Sequence, residues 1–355
     1  MFDSPYNLTR MDLSETQRAN YPGLHKVACP LGANQGIRYY DGPIGIDSMG
    51  VSKEAKDAVG FLCVDETTPQ GIIKTPIGTC FFVVVYNEDK SAGYSYLVTA
   101  KHVYKDYVDD GAPLYVRLNK FGTIAQGKSG VTYVPLESNW YSHPDPNVDL
   151  GVLPFALDPN VTNGAIYCTI ALDKIIANQQ QLITLGIDWP PGEAEEILII
   201  AMMYQYIGQE RNHPVIRTGR IALVTDELIE GGYGPSNYYL IESQVYQGNS
   251  GAPVYVAFQM ADGKRPMFLL GLLVSGFPAK QLEIVDNQTK GAAETIAYYN
   301  LGISFVVPVE KLVELLTSQE MVEIRKKGEP RPQKPVAVGR PTLTKQTITK
   351  KIEAD

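Results

Sequence analysis

Between about residue 56 and residue 307 the chain is a succession of short apolar runs cut by turn residues, and this pattern limits its fold most. The runs include 59–64, 80–85, 94–98, 114–118, 131–134, 150–155, 182–185, 197–203, 215–224, 238–241, 253–258 and 268–274. They are rich in β-branched and aromatic side chains, which pack well on a pleated surface. Little helical spacing intervenes, so the chain reads as an all-β sandwich or barrel pair, not an alternating βαβ protein. Two short helices are expected outside this pattern. One covers 52–58, with Ser52 as its N-cap and the Glu54 carboxylate near its positive end. The other opens at Pro308 and continues through Val309, Leu312, Val313 and Leu316 at helical spacing.

Charge is distributed unevenly. The net charge is −8, yet from Arg325 onward nine Lys/Arg face three Asp/Glu, leaving −14 for residues 1–324. An acidic body repels phosphate, so nucleic acid is not an expected partner. The tail carries Pro330, Pro332, Pro335 and Pro341 among Lys and Thr, a composition expected to be disordered and solvated. No apolar run reaches the roughly 18 residues that span a bilayer, so no membrane association is expected. The start of the chain has neither a basic segment nor an apolar stretch of signal-peptide type. Cys29, Cys63, Cys80 and Cys168 lie far apart without a C-x-x-C pair and read as reduced thiols, which suggests a cytoplasmic location.

Three segments carry the chemistry. Thr99-Ala100-Lys101-His102 ends an apolar strand with a histidine where the chain turns toward a helix. Val148-Asp149-Leu150-Gly151-Val152 sets an aspartate at the mouth of another strand. Gln247-Gly248-Asn249-Ser250-Gly251-Ala252-Pro253 flanks a serine with glycines, so that a tight turn exposes its hydroxyl and gathers backbone N–H groups. A serine hydroxyl is a weak nucleophile and needs a base. Histidine titrates near neutrality and can return the proton to a leaving amine. A carboxylate on the far side of the ring orients it and stabilises the imidazolium. His102, Asp149 and Ser250 are therefore the candidate catalytic residues, with the amides of Gly248 and Ser250 as oxyanion hole. Asp145 lies between two prolines in a turn and is the weaker choice of carboxylate. His25, His143 and His213 are weaker bases, and no metal-ligand spacing occurs, so neither metal nor other cofactor is expected.

The order His, Asp, Ser, with Thr-Ala-x-His, Asp-Leu-(small)-Val and Gly-Asn-Ser-Gly-(small)-Pro, resembles the trypsin-like serine peptidases. The likeness is nearest the bacterial Deg-type branch and covers about residues 56–317. It includes Gly78-Thr79-Cys80-Phe81, where Cys80 stands in place of the usual glycine. It also includes the segment from Gly271 to Gly276, similar to the strand that pairs with substrate backbone, and the closing strand from Gly302 to Pro308. The resemblance implies two six-stranded β-barrels of chymotrypsin type with a C-terminal helix and a cleft between the lobes. Residues 1–55 would be an N-terminal extension, 56–160 and 161–307 the two lobes, 308–328 the helix, and 329–355 the tail. Serine endopeptidase activity on protein or peptide substrates is implied, through an acyl-enzyme. The alternative is a silent peptidase fold that binds peptides or partner proteins. By the same resemblance, Gln244, Val245 and Tyr246, with Val274, Ser275 and Gly276, would line the first specificity pocket. These stretches hold no acidic residue, which argues against a preference for Lys or Arg. Asn249 replaces the aspartate that pairs with a new N-terminus in the digestive enzymes, so activation by such cleavage is not expected. The 38 residues from Ser318 onward are too few for the PDZ domain that usually follows in Deg-type proteases.

One competing motif is present. Residues 122–129 match the P-loop string G-x-x-x-x-G-K-[ST]. A working P-loop must lead into a helix whose N-terminus holds phosphate. Here β-prone Val131-Thr132-Tyr133-Val134 follows, so a turn between strands is expected.

Overall fold

The computed structural model describes residues 37–40, 45–47, 50–87, 93–120, 130–157, 165–184, 186–259, 263, 265–285 and 293–326. In chain order the first part holds β1 (Ile37–Tyr40), β2 (Gly45–Asp47), β3 (Gly50–Val51), α1 (Lys53–Asp57), β4 (Val59–Thr68) and β5 (Gly71–Tyr86). Then come β6 (Gly93–Thr99), α2 (Lys101–Asp109), β7 (Leu114–Lys120), β8 (Val131–Pro135), β9 (Tyr141–Ser142), β10 (Gly151–Pro154) and β11 (Ala165–Ala171). After α3 (Leu172–Thr184) follow β12 (Glu196–Ala201), β13 (Val215–Leu223), β14 (Ile229–Gly231), β15 (Gly234–Ser236) and β16 (Tyr239–Glu242). The chain continues through β17 (Pro253–Ala257), β18 (Arg265–Val285), β19 (Ala293–Pro308), α4 (Val309–Thr317) and α5 (Gln319–Lys326).

Two barrels close. In the first, β7 pairs with β4, β4 with β5, β5 with β11, and β11 returns to β7. In the second, β17, β12, β13, β16, β19 and β18 pair in that order, and β18 returns to β17. The mostly-β double barrel expected from the sequence is thus present. The second ring has six strands, while the first closes through four. In the first, β6, β10 and β9 extend the sheet from β5 instead of completing the ring. Strand β5 is long enough to serve both neighbours: 71–81 pairs with β4 and 81–86 with β6.

Several boundaries differ from the sequence reading. Strand β11 was expected in the second lobe but lies in the first sheet, beside β5 and β7. Strands β1 and β2, inside the expected N-terminal extension, join β11 and β18 respectively. Residues 182–184 of the run 182–185, read as a strand, are the end of α3, whose Leu172, Ile175 and Leu182 are buried. The intervening Gln179, Gln180 and Gln181 are good helix formers that carry no strand alternation. Helix α1 forms as expected, with the Ser52 hydroxyl accepting from the Ala55 amide at 3.3 Å. The expected helix over 308–328 is two helices. Ser318 ends α4 in extended conformation, and its hydroxyl accepts from Met321 N–H at 3.4 Å to start α5. The P-loop string lies outside the described residues, but the chain after it enters β8, antiparallel to β7, and not a helix.

One apolar core runs through both barrels. It joins Phe81, Leu97 and Leu150 of the first with Leu198, Leu272 and Val307 of the second, and takes in Leu312 and Leu316 from α4. Phe82, Phe155 and Tyr167 pack ring against ring at centroid separations of 5.2, 4.5 and 5.3 Å. Each such side chain, fully buried, contributes on the order of 2 kcal/mol. This shared core holds the barrels in a fixed relation, and the candidate site depends on that. Among the described residues no helix is long and apolar enough to cross a membrane, and no group of three or more His, Cys, Asp or Glu is placed to hold a metal.

Candidate active site

His102 sits in the first turn of α2, which begins where β6 ends. Ala100 occupies the N-cap position and has no side chain to offer the helix. Asp149 supplies what Ala100 lacks: its Oδ1 accepts the His102 backbone N–H at 3.0 Å. Its Oδ2 meets the Nδ1 of the same residue at 2.6 Å. A carboxylate at a helix N-terminus is favoured by the exposed amides and the dipole. Here one carboxylate caps the helix and orients the ring. Asp149 is 5% exposed, whereas the His102 side chain is 38% exposed, so the far edge of the ring faces the open side. Asp145 does not compete. It is exposed, its Oδ1 accepts from Asn147 N–H at 2.9 Å, and its own N–H goes to His143 Nδ1 at 3.1 Å.

The serine comes from the turn before β17. Gly248 has φ +89° and Gly251 φ +87°, a left-handed backbone that favours glycine at both positions. Around this turn the amides alternate. Asn249 N–H donates to Tyr246 O at 3.0 Å, and Gly251 N–H to Leu273 O at 2.8 Å. Among the described residues the N–H groups of Gly248 and Ser250 have no protein acceptor. Those are the two amides expected for an oxyanion hole. The Ser250 hydroxyl itself donates to the Val274 carbonyl at 2.9 Å, and no hydrogen bond joins it to the His102 ring.

Strand β5 brings the two halves together. The Ser250 carbonyl accepts from Thr79 N–H at 2.9 Å, and the Thr79 hydroxyl donates to Gly248 O at 2.7 Å. That same hydroxyl accepts from Met202 N–H at 2.9 Å. A Cβ placed on Gly78 would meet Val103 Cγ1 at 2.4 Å and the Ser250 carbonyl at 3.4 Å. The residue after His102 and the backbone of Ser250 therefore pack on the same glycine. The sequence reading named Gly78-Thr79 as a strand motif but did not foresee Thr79 as the tie to the nucleophile turn.

The expected specificity residues divide. Gln244 and Tyr246 are exposed, and the Tyr246 hydroxyl donates to Gln244 Oε1 at 3.1 Å. The Arg217 guanidinium lies 4.5 Å from the Tyr246 ring centre, adding a positive charge to that rim. The side chains of Val245 and Val274 instead turn into the core, so Val274 reaches the site through its carbonyl. Ser275 is exposed and Gly276 half-buried on β18; they pair with Phe305 and Ser304 of β19.

Lys101 was also missed. It stands in the unassigned position of Thr-Ala-x-His, is buried, and donates to the Pro146 carbonyl at 2.6 Å. A lysine at an otherwise apolar strand end was the available signal.

No family model matches the chain, and no curated protein matches it. Solved structures do. The MamO protease domain from Magnetospirillum magneticum, in apo form, is 14% identical with a TM-score of 0.41, covering 75% of this chain and 99% of its own. The Rv3671c protease in its inactive form is 14% identical with a TM-score of 0.38, covering 74% and 88%. The active form of the M. tuberculosis Rv3671c protease is 13% identical with a TM-score of 0.36, covering 74% and 80%.

Proposed function

We propose that the protein is a serine endopeptidase that hydrolyses peptide bonds through an acyl-enzyme. The observation that carries this reading is the double contact of the buried Asp149 carboxylate with His102. With Nδ1 engaged by Asp149, Nε2 is left to take a proton. Ser250 Oγ would attack the peptide carbonyl as Nε2 takes its hydrogen. The carbonyl oxygen, now anionic, would accept from the Gly248 and Ser250 amides, each worth roughly 3 kcal/mol in such sites. The imidazolium then protonates the departing amine, and water repeats the sequence on the ester. Substrate would lie along 274–276 of β18 and offer an N–H to the Val274 carbonyl. Taking that acceptor frees the Ser250 hydroxyl to turn toward His102. The cationic rim at Arg217 argues against basic residues in the first pocket.

A second reading, a silent peptidase fold that binds peptides, is favoured by one observation: the Ser250 hydroxyl is directed at Val274 and not at the histidine. A fluorophosphonate probe distinguishes the two. The peptidase reading expects an adduct on Ser250, located by peptide mass spectrometry, and cleavage of casein that Ser250→Ala abolishes. Absence of the adduct, or an alanine variant that cleaves at the native rate, overturns it.

A further inference from the structure

Arg217 stands where the second barrel calls for an apolar side chain. In the sheet it is paired with Ile199 of β12, which is fully buried in the core of that barrel. Residues directly opposite one another share a face, so Arg217 is on the inner face of β13. Further along the same face come Gly219 and the core residue Ile221. Arg220 and its partner Glu242 of β16 are both exposed and lie on the outer face, so Glu242 is turned away from Arg217.

This part of the inner face adjoins the expected specificity residues. Ser243 Oγ donates to the Thr218 carbonyl at 3.2 Å, and Ser304 Oγ donates to the Ser243 carbonyl at 3.2 Å. Ser304 pairs in turn with Gly276 of β18. The Arg217 guanidinium lies over the Tyr246 ring, 4.5 Å from its centre. Tyr246 is joined to Asn249, the residue before Ser250, by reciprocal hydrogen bonds of 3.0 and 2.9 Å.

The polar ends left over at this rim are donors. Arg217 Nε is sealed from solvent and has no acceptor, and among the described residues no carboxylate pairs with the guanidinium. Stacking on Tyr246 uses the flat face of the group and leaves its N–H edge available. Gln244 Oε1 is occupied by the Tyr246 hydroxyl, so Nε2 is the end of that amide left to donate. Drawing a cation partly out of water without a counter-ion is costly, and an apolar residue would occupy an inner barrel face without that cost. A substrate carboxylate would supply the counter-ion, held by the parallel donors of the guanidinium.

We propose that Arg217 determines the specificity of the first pocket, selecting Glu or Asp on the carbonyl side of the cleaved bond. The preference presupposes the peptidase reading and gives it a substrate class, peptides with an acidic residue before that bond.

The test uses the full chain and two fluorogenic hexapeptides that differ only in Glu or Gln before the scissile bond, with Ala elsewhere. The native protein should cleave the Glu peptide with a kcat/KM about 30-fold higher, the worth of a charge-assisted pair. In Arg217→Gln the ratio should fall to within about threefold of unity, while Arg217→Lys, which keeps the charge but not the fork, should retain an intermediate ratio. If Arg217→Gln fails to fold, Arg217→Met, whose stem can still pack on Tyr246, takes its place. Equal cleavage of the two peptides by the native protein overturns the proposal, and so does an undiminished Glu preference in the neutral variant.

A second measurement needs no catalysis. The Ser250→Ala protein is titrated calorimetrically with the unlabelled peptides, and the Glu peptide should bind about tenfold more tightly, a difference that Arg217→Gln in the same background removes. This binding decides the matter if the native protein cleaves neither peptide, and failure to bind the Glu peptide preferentially then overturns the proposal. Fluorophosphonate labelling of Ser250 separates the two readings. Labelling without a Glu preference sinks the Arg217 inference and leaves the peptidase reading intact. An Arg217-dependent Glu preference in binding, with no labelling of the native protein, sinks the peptidase reading and leaves a carboxylate-binding site at Arg217.

Discussion

The side chain of Asn249 is held at both ends: its Nδ2 donates to the Met202 carbonyl, and its Oδ1 accepts from Tyr246 N–H at 2.9 Å. At 1% exposure the side chain is sealed from water. An aspartate here, as in the digestive enzymes, would set an oxygen against the Met202 carbonyl with no donor between them. Asn249→Asp should therefore lose about 2–3 kcal/mol in urea unfolding at pH 7. The buried carboxyl introduced would bind its proton more tightly folded than unfolded. The deficit should then shrink as pH falls toward 4, when a protonated carboxyl regains a donor. A constant deficit from pH 7 to pH 4 would count against this account of the turn.

Gly251, one residue after the proposed nucleophile, has no room for a side chain. A Cβ there would lie 1.9 Å from the Thr79 carbonyl and 2.2 Å from the Thr99 hydroxyl, on a backbone with φ +87°. Both obstacles belong to strands of the first sheet, β5 and β6, so relief requires the turn to lift away from β5. Gly251→Ala should lower stability by more than about 4 kcal/mol, or prevent folding, whatever happens to catalysis. Gly232→Ala is the control, because a Cβ there meets nothing within 4 Å. Equal melting temperatures for the two variants would contradict the close approach.

Motifs with strong local constraints were legible in the sequence. Gly-Asn-Ser-Gly needs left-handed backbone at its glycines, and the choice of Asp149 over Asp145 followed from strand against turn. What could not be read depends on partners distant in sequence. Thr79 looks like any strand threonine until the second barrel brings Gly248 and Met202 to it. Lys101 looks like a surface residue until Pro146 and Tyr233 close over it. The misplacement of 165–171 has a similar cause, because an apolar strand carries no mark of which sheet it enters. The helix at 172–184 was missed because its apolar residues are sparse and its last turn reads as a β-branched run.

The thiols give a test of the barrel cores. Cys63, Cys80 and Cys168 are buried, while Cys29 lies outside the described residues. Burial pushes the Cys63 thiol up to about 12 despite the nearby charges of Arg117 and Lys74, and Cys80 is raised as well. Iodoacetamide reacts with thiolate, so an exposed thiol speeds up as pH rises through about 8.5. Cys63 and Cys80 stay protonated across that range and are shielded as well. In the native protein both should alkylate at least 100-fold more slowly than in urea, with little acceleration between pH 7 and pH 9. Rapid native labelling of Cys80 would mean that β5 opens readily, against its place at the centre of the first barrel.

Arg117 fastens a segment that reaches from the proposed site to the opposite barrel. It is 2% exposed, and its Nη1 donates to the Ile207 carbonyl at 3.0 Å and to Asn212 Oδ1. Its Nη2 donates to the carbonyls of Gly208 and Gln209. Asn212 completes the link, with Nδ2 to Arg117 O and its backbone N–H to Asn119 Oδ1, both at 2.7 Å. The guanidinium thus organises 207–212 against β7 through its fork of donors, and among the described residues no carboxylate pairs with it. Lysine carries the same charge but concentrates it at one point and cannot span these acceptors. Arg117→Lys should therefore lose roughly 3 kcal/mol in urea unfolding. It should also speed hydrogen exchange at the amides of 207–212. The near end of the segment, at Met202, is held independently by Thr79 and Asn249. Labelling at Ser250 should accordingly slow less than tenfold. A loss of labelling greater than 100-fold in a folded Arg117→Lys protein would show that the two ends are coupled and that Arg117 supports the oxyanion turn directly.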